Sequence, residues 1–168
     1  MPMATIHTAD LCDELGPAAR VCLAPWRSYG GRHAVSGHVQ TLRTFEDAAL
    51  IRHTLGTPGK ARVLVIDAGG SLKAAVLGDR MARIGMDNGW AGVLVYGAIR
   101  DVAILQGLDL GVFALGSVPA RGGKAGTGEV GVELTIGSAS IRPGDFIAMD
   151  HDGVVVTAGI ATTRHPAG

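Results

Sequence analysis

The chain has 168 residues, and its 15 Lys and Arg balance 15 Asp and Glu for a formal net charge of zero. No bulk positive field exists to attract nucleic acid, which argues against a general DNA or RNA binder. A hydrophobic fraction of 47 % and a charged fraction of 18 % describe a globular chain, of a length that suits one domain over residues 1–156 with a loosely ordered tail at 157–168. The longest apolar runs, such as residues 63–66 and 93–96, are strand-sized and too short to cross a bilayer. Residues 1–10 carry no basic-then-apolar export pattern, and Cys12 and Cys22 fit neither a CxxC pair nor a disulfide framework. The expected location is the cytoplasm.

With three Phe, two Tyr and two Trp, the core has to be built from Val, Leu, Ile and Ala. In chain order, residues 8–15 read as a short helix with Thr8 as its N-cap and Gly16-Pro17 as its stop. Residues 35–43 alternate as a strand, and Phe45, Ala48, Ala49, Ile51 and Leu55 have helical spacing over residues 45–55. Residues 62–67 form a buried strand that ends in Asp67-Ala68-Gly69-Gly70, and residues 71–77 read as a helix broken by Gly78. A second helix over 79–88, a strand over 92–96 ending in a glycine turn, a short helix over 101–107 and a strand over 112–115 follow.

This alternation of strand and helix predicts a parallel sheet with crossover helices, whose ligands collect beyond the carboxyl ends of the strands. The turns at 67–70 and 97–101 should therefore face the same side. Beyond them lies a glycine-rich loop over 118–131, then strands at 132–136, 138–141, 146–150 and 154–156 joined by tight turns. The fold class is α/β: a parallel or mixed central sheet with helices and a β-rich C-terminal part.

Arg100 and Asp101 stand at the end of an apolar strand and are adjacent in sequence. A guanidinium holds a carboxylate with a two-pronged hydrogen bond, and an aspartate holds a hard divalent cation through oxygen. Asp79 starts a helix, where the free amides of Gly78, Asp79, Arg80 and Met81 would bind an anion clamped from across the pocket by Arg100. An alternative reading makes Asp101 a helix cap, Arg100 its surface partner and Asp79 a carboxylate favoured by the helix dipole.

Six segments resemble, in order, the regulator of ribonuclease activity A family, which includes the metal-dependent 4-hydroxy-4-methyl-2-oxoglutarate aldolases. They are Thr8-Ala9-Asp10-Leu11-Cys12-Asp13, Gly30-Gly31-Arg32, Phe45-Glu46-Asp47, Val65-Ile66-Asp67-Ala68-Gly69-Gly70-Ser71, Leu77-Gly78-Asp79 and Gly97-Ala98-Ile99-Arg100-Asp101. The likeness continues through Gly89-Trp90-Ala91-Gly92, Pro143-Gly144-Asp145 and Asp152-Gly153-Val154, covering roughly residues 8–156. It implies a compact fold like the swivelling phosphohistidine domain, assembled as a homotrimer or a pair of trimers. It further implies that Gly78, Asp79, Arg80 and Met81 hold a small oxo-acid, that Arg100 binds its carboxylate or keto oxygen, and that Asp101 ligates Mg²⁺ or Mn²⁺. A water held by Asp101 or Asp79 would move the proton. Aldol cleavage of 4-hydroxy-4-methyl-2-oxoglutarate and decarboxylation of oxaloacetate both leave a pyruvate enolate, so one site would serve both. The competing implication is a non-catalytic regulator that binds a ribonuclease.

Three positions depart from the family pattern: Ala48 in place of Asn, Ile104 in place of an acidic residue near the Arg-Asp pair, and Gly131 in place of an acidic residue. The six His form no zinc-binding spacing, residues 67–71 lack GxGxxG, and Cys12 reads as a core residue. These readings set aside zinc, nicotinamide and S-adenosylmethionine chemistry. Glu129 is a candidate contributor to a neighbouring subunit's pocket.

Overall fold

In the computed structural model, residues 5–159 are described. Helix α1 (Thr8–Leu15) leads through a 3₁₀ turn at Gly16–Ala18 into two short strands, β1 (Arg20–Val21) and β2 (Arg27–Ser28). The central unit is β3 (Val35–Arg43), α2 (Ala49–Leu55), β4 (Val63–Asp67), α3 (Asp79–Asp87), β5 (Gly92–Ile99), α4 (Val102–Leu105) and β6 (Gly111–Ser117). The remainder supplies β7 (Glu129–Val130), β8 (Leu134–Ile136), β9 (Ala139–Ile141), β10 (Phe146–Asp150) and β11 (Gly153–Thr157). No helix among the described residues is long and apolar enough to cross a membrane.

The main sheet runs β1-β11-β10-β3-β4-β5-β6-β2, with β7 on the distal part of β3. The β3–β4, β4–β5 and β5–β6 pairs are parallel, as the alternation of strands and helices predicts, whereas β10 and β11 are antiparallel additions. Period-two alternation divides the central strands between two cores. Leu64, Ile66, Val93 and Val95 pack beneath the helices with Leu55, Ala82 and Leu105. Val63, Val65, Leu94 and Phe113 face the other way, against Leu134, Ile141, Met149 and Val156. Both faces are covered, which explains why residues 63–66 and 93–95 are apolar without a polar alternate.

The structure corrects five local expectations. Residues 71–77 are not helical: Ala75 N–H donates to the Ala120 carbonyl and Val76 N–H to the Ala98 carbonyl. These extended pairings with distant chain override the local apolar spacing. The helix expected from residue 45 begins at Ala49, because Glu46 has φ +51° and its carbonyl accepts from Gly123 N–H. The strand expected to turn at Gly97 runs on to Ile99 through a register shift between Val95 and Ala98. A Cβ at Gly97 would lie 2.8 Å from the Ala68 Cβ, so this glycine serves close packing.

Thr8 is not the cap of α1. It is buried, and the carboxylate of Asp150 accepts from its N–H at 2.8 Å and its hydroxyl at 2.6 Å. Burial alone would raise the Asp150 pKa, yet hydrogen bonds from Thr8, Asp152 and Gly153 hold it below its ordinary value. Thr157, the first residue of the expected tail, is buried and pairs with Phe146, so it belongs to β11. Residues 160–168 of that expected tail lie outside the described residues.

Candidate active site

The strand β5 delivers Arg100 and Asp101 to one end of the sheet, next to the chain that leaves β4. Gly70 N–H donates to the Tyr96 carbonyl and Arg100 N–H to the Leu77 carbonyl, so the turns after β4 and β5 share a side as expected. Asp101 has φ +63° and ψ +40°, a left-handed conformation that Asp and Asn tolerate better than most residues. It occupies the N-cap position of α4 but makes no side-chain cap there. Its Oδ2 accepts instead from Asp79 N–H, 2.9 Å away at the start of α3.

That bond divides the four amides expected to face an anion. Asp79 N–H is taken by Asp101, whereas the N–H groups of Arg80 and Met81 in the first turn of α3 find no protein acceptor among the described residues. They remain available at the positive end of the helix dipole. Arg100 donates from Nη1 to the Pro119 carbonyl at 3.3 Å and belongs to none of the ion pairs among the described residues. Its guanidinium is therefore free to pair with an anion. Asp79 reaches Arg83 one turn along at 3.7 Å, a partly exposed pair worth little to stability.

Gly78, Asp79, Arg80, Met81, Arg100 and Asp101 all line one cleft of about 990 Å³. Further lining residues come from places the sequence reading missed. Arg52 and His53 reach the cleft from the end of α2, and Arg121 and Lys124 from the glycine-rich loop. Five cationic side chains thus face two carboxylates, a balance that favours a small polyanion. The available signal was the pairing of Arg121 and Lys124 with flanking glycines, an arrangement that brings cations and backbone close to a ligand.

A divalent cation fits the donor set. Asp101 Oδ1 has no protein donor among the described residues, while the same residues contain no group of three His, Cys, Asp or Glu side chains that could enclose a metal. One hard carboxylate oxygen with the remaining positions left to water and ligand is the manner in which Mg²⁺ is commonly held, unlike zinc.

Of the other sequence candidates, Ala48 lines the cleft and the rest lie outside its lining. Glu129 is on β7, 3.6 Å from Arg43 of the same chain. Ile104 is exposed on α4. Ala48 is the N-cap of α2, with no side chain to bond the helix amides. Gly131 has φ +81°, where an acidic residue would be strained. Cys12 is half-buried and outside both cores; Cys22 is the cysteine of the core.

An α/β sheet with an anion-favouring cleft beyond its parallel strands defines the class of protein. The Aldolase/RraA family model matches residues 8–156, and the chain belongs to that family. A protein of Aromatoleum aromaticum named "Putative 4-hydroxy-4-methyl-2-oxoglutarate aldolase" is 48 % identical, covering 90 % of this chain and 95 % of its own length. A Dechloromonas aromatica protein of the same name is 45 % identical, with coverages of 91 % and 96 %. Among solved structures, the RNA-processing inhibitor RraA from Thermus thermophilis superposes with a TM-score of 0.88 at 41 % identity, over 92 % of this chain and 93 % of that one. A Geobacillus kaustophilus protein described as an S-adenosylmethionine:2-dimethylmenaquinone methyltransferase gives 0.89 at 42 % identity, with coverages of 90 % and 94 %.

Proposed function

We propose that this protein is a divalent-metal-dependent carbon–carbon lyase that cleaves 4-hydroxy-4-methyl-2-oxoglutarate and decarboxylates oxaloacetate. The relatives named as aldolases support the cleavage chemistry. The observation that carries the reading is the adjacency of Arg100 and Asp101 at the α3 amides, with Asp101 tied to Asp79 N–H at 2.9 Å.

In this reading the unbonded amides of Arg80 and Met81 receive the substrate's 1-carboxylate, and Arg100 clamps that carboxylate or the keto oxygen. Breaking the carbon–carbon bond leaves its electron pair on the pyruvate fragment as an enolate. Fixed positive groups stabilise that charge without reorganisation as it develops, and Arg100 is the chain's own contribution. Mg²⁺ or Mn²⁺, held by Asp101, would supply Lewis-acid stabilisation of the same charge. In aldol cleavage a water oriented by Asp79 or Asp101 takes the C4-hydroxyl proton as the bond breaks and returns it to the enolate carbon, whereas in decarboxylation carbon dioxide departs and the water supplies that proton. The exposed Phe45, Leu72 and Val130 around the carboxyl ends of the strands offer apolar surface for the homotrimer that belongs to the same reading.

The test is Asp101→Asn, chosen because Asn tolerates the left-handed backbone and keeps an acceptor for Asp79 N–H. Pyruvate release from oxaloacetate in Mg²⁺ or Mn²⁺ should fall at least 100-fold with the unfolding transition unchanged. Wild-type turnover in this variant removes the proposal. The second reading, a regulator that binds a ribonuclease, is favoured by the likeness to the inhibitor RraA and by the exposed Ile104 beside the site. It requires ribonuclease binding that survives EDTA, with no pyruvate formed by the wild type.

A further inference from the structure

A single buried carboxylate gathers the middle of the glycine-rich loop beside the cleft. Asp47 is 4 % exposed although charged. Its Oδ2 accepts from Ala125 N–H at 2.6 Å, and its Oδ1 accepts from Gly126 N–H at 3.0 Å and Ala49 N–H at 3.1 Å. The neighbouring backbone repeats the link, because Ala48 N–H donates to the Gly123 carbonyl and Gly123 N–H to the Glu46 carbonyl. Arg121 and Lys124 line the cleft, yet both are exposed, and nothing among the described residues gives either an ion-pair partner. Arg121 is held from its own flanks, where Ala75 N–H donates to the Ala120 carbonyl and Gly122 N–H to the Ala75 carbonyl, whereas the backbone just after Lys124 is fastened to Asp47 at Ala125 and Gly126.

We propose that Asp47 is a positioning residue that latches residues 123–126 to the start of α2, so that Lys124 stands at the cleft and binds the anionic end of the substrate. The role in substrate binding rests on the lyase reading above; the latch itself does not. A carboxylate suits the task because it accepts several N–H bonds at once, and charge-assisted bonds to amides are roughly twice as strong as neutral ones. Three donors converge on it, one from its own turn and two from 78 and 79 residues further along the chain. Losing the latch frees the loop rather than the core, since the chain from 123 to 130 is exposed.

Trypsin reads the latch directly, because one of its cleavage sites is the Lys124–Ala125 bond, whose amide Asp47 holds. Asp47→Asn, which keeps shape but replaces one acceptor oxygen with a donor, should speed native-state cleavage at the Lys124–Ala125 bond at least tenfold. KM for oxaloacetate should rise at least fivefold with kcat within twofold. Lys124→Ala should raise KM by itself, and combining it with Asp47→Asn should add little, because Asp47 acts through that residue. Additive KM effects, or a kcat loss with unchanged KM, would overturn the positioning role.

Unchanged trypsin cleavage would overturn the latch. Should Asp47→Asn fail to fold, hydrogen exchange on the wild-type chain decides the latch. The Ala125 and Gly126 amides should then exchange at least tenfold more slowly than those of Lys124 and Thr127, and equal rates overturn it. A wild type without lyase turnover overturns the substrate-binding role together with the proposed activity, while trypsin cleavage and exchange still decide the latch.

Discussion

A Cβ placed on Gly78 would lie 2.6 Å from Oδ2 of Asp101, the oxygen that accepts from Asp79 N–H. Gly78 itself has φ −136° and ψ −167°, extended backbone that any residue adopts, so its glycine is required by the carboxylate and not by the main chain. Asp101 and the start of α3 can approach this closely because position 78 has no side chain.

Gly78→Ala should therefore act on the site through Asp101. The added methyl displaces the carboxylate, and loss of its charge-assisted bond costs about 1.5–3 kcal/mol. Metal-dependent pyruvate release should fall at least tenfold, and urea unfolding should report a destabilisation of that size. In an Asp101→Gly background the same substitution should cost markedly less, because the oxygen it strikes is gone. An undiminished cost there would place the clash elsewhere.

The parallel strands were legible because both of their faces are covered, which turns residues 63–66 and 93–95 into uninterrupted apolar runs. The segment over 71–77 misled for the same reason that it matters. Its Ala75, Val76 and Leu77 are buried, but its backbone bonds to Ala98 and Ala120, partners no local pattern announces. The site followed a similar division. Arg100 and Asp101 are neighbours in sequence, and the chemistry of that pair is readable from residue type alone. The bond from Asp79 N–H to Asp101 spans 22 residues and the Asp47 latch 78, so both depend on how the loops pack. The cations at 52, 121 and 124 carry no local signature of a shared site, because two elements distant in sequence, α2 and the glycine-rich loop, bring them to the cleft.

The Asp150–Thr8 contact predicts an acid-dependent loss of stability centred on α1. The Asp150 carboxyl lies below its ordinary value of 3.8, so the folded state favours the ionised form. Its stabilisation is complete above the unfolded-state pKa and disappears as pH falls through the folded value. Asp150→Ala leaves the buried Thr8 N–H and hydroxyl without their acceptor, which should cost about 1–3 kcal/mol near neutral pH. Wild type and variant should converge in urea unfolding once the pH is well below the ordinary carboxylate range. A difference that persists unchanged into acid would show that the carboxylate's charge is not what holds the helix.

The two cysteines should differ sharply in reactivity. Burial pushes the Cys22 thiol up to about 12, and its Sγ donates to the Ile136 carbonyl at 3.3 Å. The thiolate is the reacting species, so about one molecule in ten thousand carries it at about pH 8, and even that fraction is shielded by the core. Cys12 is half-buried on α1 and reaches solvent there. Iodoacetamide should alkylate Cys12 in the native protein and leave Cys22 unmodified until denaturant is added, as read by peptide mass spectrometry. Modification of Cys22 then tracks opening of the core formed by β8–β11, whereas native labelling of Cys22 at the rate of Cys12 would mean that this core opens far more readily than its packing implies.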